Sequence, residues 1–361
     1  MRHYHLAILP GDGIGPEVIP ESVQTLKALA DLHGGFRVDT ESFDWGTERY
    51  LREGALMPRE GLKLLGQGGF DGILLGPVGD PRVPDHLTLW GLLLPIRQGF
   101  DQYVNLRPLR LLPGVQSPLA GKGSGEIAMI CIRENTEGEY AGVGGRLHQG
   151  MAEEVAVQSS VFTRAGTERI IRYAFEYARQ HRRAKVTSAT KSNSLQYGMV
   201  FWDEVFGQVA AEYPEIAHEQ QLIDSLAARM VIRPESLEVI VASNLFGDIL
   251  TDLGAAVVGS LGLAPSANLN PDRRYPSLFQ AIHGSAPDIA GLGIANPIAS
   301  IWSAQLLLDF LGEEEAATML MRAIEEVLAS RQVRTPDLGG TATTHQLGEA
   351  IRASLGQIAT S

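Results

Sequence analysis

The stretch Val239-Ile-Val-Ala-Ser-Asn-Leu-Phe-Gly-Asp-Ile-Leu-Thr-Asp-Leu253 constrains the fold more than any other. Val239 to Ala242 form a short uncharged run in which three residues are β-branched. That composition describes a strand buried on both faces, and such strands need helices over both surfaces. Ser243-Asn244 reads as a turn, and helical spacing runs from Gly247 to Leu261. Similar apolar runs stand at Tyr4–Leu9, Phe70–Leu75 and Ile127–Ile132. The first leads through Pro10-Gly-Asp-Gly-Ile-Gly-Pro-Glu17 into an amphipathic helix reaching His33. Strands alternating with helices define an α/β protein with a largely parallel sheet.

In the helical stretch two carboxylates recur four residues apart, Asp248 and Asp252, which places them on one helix face. Their neighbours Ile249, Leu250, Leu253, Ala255, Val257 and Val258 are apolar enough for burial. Buried like charges without a cation are costly, and hard divalent ions prefer oxygen ligands. A Mg²⁺ or Mn²⁺ site and a solvated aspartate pair account for this spacing equally well.

At 361 residues the chain has length enough for two domains. Its net charge of −12 argues against nucleic acid or an anionic membrane as a main partner. The single cysteine, Cys131, excludes an intrachain disulfide and any multi-cysteine metal site. It lies inside an apolar run, where a packed, inert thiol is expected. No secretory signal and no long uncharged apolar run are present, so a reducing cytoplasm is the expected compartment.

Three arginines follow apolar elements. Arg97 comes after the helical stripe Gly91-Leu-Leu-Leu-Pro-Ile96, Arg107 ends an apparent strand just before Pro108, and Arg133 ends the run Ile127–Ile132. Ligands collect at strand C-termini of α/β sheets, and guanidinium forks pair bidentately with carboxylates. The Gly-rich, then alternating segment 141–158 reads as an arm or hairpin able to pair with a second subunit. A helix over 167–181, a strand entering Lys191-Ser-Asn193 and a strand 217–223 ending at Asp224 follow. Residues 264–297 read as the longest loop, and helices resume over 298–311 and 313–331. Gly11, Gly13 and Gly15 are spaced G-x-G-x-G, which is not the dinucleotide fingerprint.

Six separate stretches together resemble one family. They are Gly11-Asp-Gly-Ile-Gly-Pro-Glu17, Asn105-Leu-Arg-Pro108, Arg133-Glu-Asn-Thr-Glu-Gly-Glu-Tyr140, Thr190-Lys-Ser-Asn193, Asn244-Leu-Phe-Gly-Asp-Ile-Leu-Thr-Asp252 and His283-Gly-Ser-Ala-Pro-Asp288. They look like the metal-dependent β-decarboxylating dehydrogenases, which include isopropylmalate, isocitrate, D-malate and tartrate dehydrogenases. The resemblance implies an isopropylmalate dehydrogenase-like two-domain fold with a large twisted mixed sheet, not a true Rossmann fold. One domain would comprise 1–102 and 260–361, and the other 103–259, with the arm near 141–165.

The resemblance also implies roles. Arg97, Arg107 and Arg133 would hold the carboxylates of a 2-hydroxy diacid, and Asp224, Asp248 and Asp252 would ligate Mn²⁺ or Mg²⁺, with K⁺ a further candidate cation. Lys191 would deprotonate the C2 hydroxyl and Tyr140 would protonate the enolate. Lys191 and Asp224 would come from the partner in a homodimer with shared active sites, Asp224 lying beside the substrate. Ile14, His283, Gly284, Ser285, Ala286, Asp288, Ile289 and Asn296 would hold NAD. Taken singly, His283 reads as a core or loop histidine, Asn296 before Pro297 as a turn residue, and Asp288 as a turn cap. The segments 83–90 and 101–105 look more like tartrate/D-malate dehydrogenases, with isopropylmalate dehydrogenase or a non-catalytic regulatory subunit as alternatives. Leu92 departs from that pattern where a serine is expected, and Leu92, Leu93 and Leu94 are expected to make the pocket greasy.

Overall fold

Every apolar run picked out above lies in one sheet. In chain order its strands are β1 (Arg2–Leu9), β2 (Phe36–Ser42), β3 (Gly72–Leu75), β4 (Val104–Arg110) and β5 (Ala128–Glu134). After the hairpin strands β6 (Gly138–Leu147) and β7 (Val155–Val161) come β8 (Lys185–Thr190), β9 (Ala217–Leu222), β10 (Val239–Ala242), β11 (Pro265–Leu269) and β12 (Ser277–Ala281). The computed structural model describes residues 1–360. The main sheet has ten strands in the order β2-β1-β3-β12-β11-β4-β5-β10-β8-β9, and β6–β7 form a separate two-stranded ribbon. The ladders β12–β11, β11–β4 and β4–β5 are antiparallel, and the rest of the main sheet is parallel. Strands from 1–102 and 260–361 thus fill one half, strands from 103–259 fill the other, and β11–β4 is the seam.

The helices before the hairpin are α1 (Gly15–His33), α2 (Thr47–Glu53), α3 (Gly61–Gln67), α4 (Asp85–Thr88) and α5 (Leu94–Gly99), with a π-helical turn, Leu89–Leu93, joining the last two. Those after it are α6 (Arg164–Gln180), α7 (Gly198–Ala210), α8 (Ile223–Ile232), α9 (Asn244–Val257), α10 (Ile298–Leu311), α11 (Glu314–Ser330) and α12 (Thr344–Thr360). They cover both faces of the sheet, as its fully buried strands require. α12 is tied to α1 by Arg352 and His345, both on the buried Glu21 carboxylate at 2.7 and 3.0 Å. No helix among the described residues is long and apolar enough to cross a membrane.

Four local expectations change. The reputed loop 264–297 contains β11 and β12, both buried along their whole length at the sheet's centre. Arg107 lies within β4 and does not end it. The strand passes through Pro108 because β11 reaches only to Leu106, so beyond that point one side of β4 has no ladder for a proline to break. The helix after β10 begins at Asn244, spans fourteen residues and ends at Val257; Leu261 belongs to a separate 3₁₀ turn. Ile249, read as buried, is 53% exposed.

The glycines at 11, 13 and 15 serve close approach of backbone. A Cβ on Gly13 would stand 2.0 Å from the Ser285 carbonyl oxygen, and one on Gly15 would stand 1.9 Å from that of Pro10. Gly13 also has φ +56°, in the left-handed region. The contact lets the Ile14 amide donate to the Ser285 carbonyl at 2.9 Å, which fastens the 283–290 loop to the start of α1. Gly13→Ala should therefore cost more than the roughly 1–2 kcal/mol of left-handed strain alone. Gly207→Ala, inside α7 with nothing within 4 Å of the new methyl, should stabilise by about 0.5–1 kcal/mol. Urea unfolding of the two variants checks the pair.

Candidate active site

The seam of the sheet gathers the arginines. In the antiparallel β4–β5 ladder Asn105 lies opposite Arg133, and Arg107 opposite Cys131. Opposed residues share a face, as do residues two apart on one strand. Asn105, Arg107, Cys131 and Arg133 therefore project together toward α9. Arg97 arrives from α5, 4% exposed. The three guanidiniums line a cleft of about 640 Å³ with His86, Leu89, Trp90, Leu93, Leu94, Glu139, Tyr140, Gln158, Leu245, Asp248, Gln280 and Ile282.

Each cation is held differently. Arg133 donates to the Asn244 amide oxygen through Nε at 3.1 Å and Nη2 at 2.7 Å, and pairs through Nη1 with Asp248. Arg107 donates through Nε to Asn105 Oδ1 at 2.6 Å, and through Nη1 to the Thr251 hydroxyl and to Asp248 at 3.4 Å. Burial, then Arg133, push Arg107 down to about 10, so it remains a cation at neutral pH. Among the described residues the Arg97 side chain has no hydrogen bond or ion pair, and its Nε is buried without a partner. Burial first, then Arg133 and Arg107, hold it well below the ordinary arginine value. A buried cation in that position is short of an anion.

Tyr140 donates its hydroxyl to Asp248 Oδ2 at 3.0 Å. Burial and then the Asp248 charge push the phenol up to about 12, so it keeps its proton at neutral pH. Burial works to raise the Asp248 carboxyl, but Arg133, Arg107 and Arg97 together hold it below its usual value. Asp252, one turn on, is raised by partial burial and by the like charge of Asp248, against the pull of Arg107. Two oxygen-donor carboxylates one turn apart, one of them disfavoured in its charged form, fit a hard divalent cation. Among the described residues, however, no three His, Cys, Asp or Glu side chains of one chain converge on a metal position. Asp224 opens α8 and pairs with Lys191, which follows β8, at 3.0 Å. Neither residue lines the cleft.

The loop expected to hold NAD is assembled beside the start of α1. Ile14 meets Ser285 there. Ala286 has φ +44°, a strained backbone for a side-chain-bearing residue. His283 Nδ1 lies 3.0 Å from the Gly284 oxygen, and Nε2 is buried with no partner. Burial lowers its pKa, which favours the neutral ring. Asn296 caps the start of α10, accepting from Ile298 N at 2.9 Å, and donates to Asp337 at 3.0 Å, so it is a structural residue as well as a loop residue. Asp288, beside Gly284 and Ile289 in sequence, is exposed. It is not engaged as a cap: the turn's own bonds are backbone to backbone, Ile289 N to Ala286 O at 3.1 Å. The orphaned imidazole nitrogen and the available carboxylate suit the polar groups of a dinucleotide.

The greasy pocket is changed in its membership. Leu92 is fully buried in a second apolar cluster with Leu56, Leu65, Ile96 and Phe100, away from the cleft. The π-helical turn closes on i→i+5 bonds and rotates the following residues relative to an α-helical reading. Leu89, Trp90, Leu93 and Leu94 form the apolar wall instead. Sequence reasoning missed the polar wall facing it, His86, Glu139, Gln158 and Gln280. Glu139 lies inside a quoted motif, whereas Gln280 falls in the segment read as loop.

A recess that offers three cationic forks, one of them unpaired, with a protonated phenol and a carboxylate helix beside them defines an enzyme for small acidic substrates. A sequence profile of isocitrate/isopropylmalate dehydrogenase matches residues 5–351, and the chain belongs to that family. It is 52% identical to the D-malate dehydrogenase [decarboxylating] of Escherichia coli over 97% of this chain and 98% of that one. It is 48% identical to the tartrate dehydrogenase/decarboxylase of Pseudomonas putida, over 98% of each. The crystal structure of isocitrate dehydrogenase from Methylococcus capsulatus is similar with a TM-score of 0.86 at 34% identity, over 98% of this chain and 99% of that one. The protein is thus a decarboxylating dehydrogenase.

Arg97→Met should separate stability from activity. Loss of an unpaired buried cation should raise Tm by about 2 °C or more, while kcat/KM for a diacid substrate should fall about 100-fold or more. Calorimetry with and without a dicarboxylate checks this: the anion should stabilise the wild type and leave the variant nearly unmoved.

Proposed function

We propose that this enzyme oxidises and decarboxylates D-malate, to pyruvate and CO₂, or tartrate, using NAD⁺ and Mn²⁺ or Mg²⁺. The observation that carries the reading is the unpaired Arg97 beside Arg107 and Arg133. Such a trio calls for a ligand with more than one carboxylate. The polar groups at 86, 158 and 280 give a further hydroxyl somewhere to bond, which an alkyl side chain would leave unsatisfied at about 1–3 kcal/mol per buried group. That favours D-malate and tartrate over isopropylmalate, in line with the names of the relatives. Retention of Tyr140, Lys191 and the three aspartates speaks against a non-catalytic subunit.

A bound divalent cation would supply stabilisation of negative charge on the substrate oxygens, and bound NAD⁺ a hydride acceptor. Arg97, Arg107 and Arg133 hold the carboxylates and fix the C2–H direction. Lys191 takes the C2 hydroxyl proton. Tyr140, protonated at neutral pH, gives a proton to C3 once CO₂ has left. Asp248 and Asp252, with Asp224 from a second copy, would hold the cation.

Lys191 and Asp224 reach a cleft only if a second copy supplies them. Exposed apolar side chains support this assembly: Leu195 and Tyr197 just after Lys191 in the chain, Ile249 on α9, and Val143, Leu147, Val155 and Val157 on the β6–β7 ribbon. Apolar surface of that extent usually marks an interface. In exchanged dimers, inactive Asp248→Asn and inactive Lys191→Ala chains should regain about a quarter of wild-type activity, because half the dimers are mixed and each has one intact site. A mixture as inactive as its parents would place each site within one chain.

Cofactor choice rests on Asp288. Its carboxylate can accept hydrogen bonds from the adenosine ribose hydroxyls and repels a 2′-phosphate, with no Lys or Arg between His283 and Ser303 to neutralise it. NAD⁺ should be preferred over NADP⁺ by about 100-fold in kcat/KM with D-malate and Mn²⁺, and Asp288→Lys with Ile289→Tyr should narrow or reverse that. Equal use of both cofactors by the wild type would remove Asp288 from the cofactor site. Turnover undiminished by a chelator would remove the cation from the reaction.

A further inference from the structure

The segment Arg133–Tyr140 carries three glutamates, and each does something different. Glu134, buried, accepts from the amides of Thr136 and Glu137 at 2.9 and 3.0 Å and closes its own turn. Glu137 accepts from the Thr163 amide and hydroxyl at 3.0 and 2.8 Å and holds the start of α6. Glu139 reaches across 104 residues of chain to accept from the Ser243 hydroxyl at 2.8 Å, and from the Leu245 amide at 3.0 Å. Of the three, only Glu139 lines the cleft.

Ser243 is the N-cap of α9, yet its side chain bonds none of the helix's first amides. A helix start leaves four N–H groups without intrahelical partners, and its partial positive charge favours an anion. Glu139 supplies both the acceptor and the charge from outside the helix. Its neighbour Tyr140 grips the same helix one turn further on, at Asp248. Successive strand residues ordinarily face opposite ways. Gly138 has φ +72°, and the β6–β7 register is broken between Gly138 and Val143, which lets both side chains turn to α9. The Asn244 amide adds a third tie, donating to the Glu137 carbonyl at 3.0 Å.

We propose that Glu139 is a positioning residue that clamps the start of α9 and sets the depth at which Asp248 and Asp252 face Tyr140 and the cleft. The inference rests on the proposed cation role of those aspartates. A cap gripped from the strand that carries the phenol fixes the helix along its axis relative to that phenol. A cap from the helix's own Ser243 would leave that distance free.

Glu137 provides the control, because it holds a helix start from the same segment without touching the cleft. Four chains are compared as purified full-length protein: wild type, Glu139→Ala, Glu139→Gln and Glu137→Ala. Mn²⁺ affinity is read by electron paramagnetic resonance without substrate, and kcat and KM with D-malate. Glu139→Ala should weaken Mn²⁺ binding and lower kcat by about tenfold or more each, with KM for the diacid within about threefold, since the arginines are untouched. Glu139→Gln keeps an acceptor for the Leu245 amide and should recover to within about threefold of wild type. Glu137→Ala should lose a similar amount of Tm with Mn²⁺ affinity unchanged. If Glu139→Ala lowers Tm like Glu137→Ala, with Mn²⁺ affinity and kcat within about twofold of wild type, the residue is only a cap and the inference is overturned. Should Glu139→Ala fail to fold, Ser243→Ala carries the same readouts with a smaller shift of about threefold. A wild type that binds no Mn²⁺ would fault the cation reading and not the clamp, which amide exchange at 245–248 then decides. Faster exchange in Glu139→Ala than in Glu137→Ala upholds it, and equal exchange overturns it.

Discussion

Three guanidiniums held together out of water are the constraint around which this molecule is arranged. Like charges repel strongly where the dielectric is low, and Asp248 is the carboxylate that pairs with two of them directly, with Asp252 adding a weaker charge beside Arg107. The surroundings make up the rest with neutral acceptors: Asn105 and Thr251 for Arg107, and Asn244 for Arg133. Asn105 is itself fixed by Ser266 and Asn268 of β11 at 3.1 and 2.6 Å. Asn268 also takes the Asn135 amide at 3.0 Å, so the support crosses the seam between the two halves of the sheet. A buried polar network of this kind is stable only when its members are satisfied. That is a physical reason for the seam to be antiparallel and continuous here.

The same network explains what the sequence concealed. β11 is Pro265-Ser-Ala-Asn-Leu269, a composition of turn formers by propensity. Its Ser266 and Asn268 are at the sheet's centre because they bond Asn105, and tertiary context overrides the local preference. Val239–Ala242, with no polar duty, was legible at once and is buried throughout. Arg107 and Arg133 could be expected together because both belong to apolar strand runs, whereas Asp248, inside α9, joined them only through the family resemblance. Leu92 could not be placed, since a single π-helical turn decides which leucines face the cleft. Glu139 was visible as a letter in a motif, but its bonds to Ser243 and Leu245 lie 104 and 106 residues away, a pairing that no local periodicity encodes.

The Gly11–Gly15 turn illustrates a different separation between pattern and purpose. Glycine-rich turns after a first strand suggest phosphate binding because backbone amides there can meet an anion. Here the Ile14 amide is already given to Ser285, and that of Asp12 to Pro77 at 2.7 Å. The missing Cβ atoms admit neighbouring backbone, and the Asp12 carboxylate gathers the Thr47 and Gly79 amides at 2.7 and 2.8 Å. The turn is a junction of three loops that fastens the 283–290 segment to the start of α1.

Asp248 also bears on how ligands enter the site. In the free chain its carboxylate is shared among Arg133, Arg107 and the Tyr140 hydroxyl, which leaves it little capacity for a cation. On the proposed reading, a diacid arriving at the arginines would bring carboxylates that compete for the same guanidinium donors and would loosen their hold on Asp248. Asp248 and Asp252 then face each other with less compensating positive charge, and a divalent cation becomes the favourable neighbour. Diacid alone leaves the aspartates repelling, and cation alone must compete with two arginines for one oxygen pair. If diacid and cation bind as proposed, each would remove a cost that the other meets alone, and by linkage each would raise the affinity of the other. On the proposed reading the diacid is the natural first occupant, since Arg97 alone of the three guanidiniums has no partner among the described residues to displace.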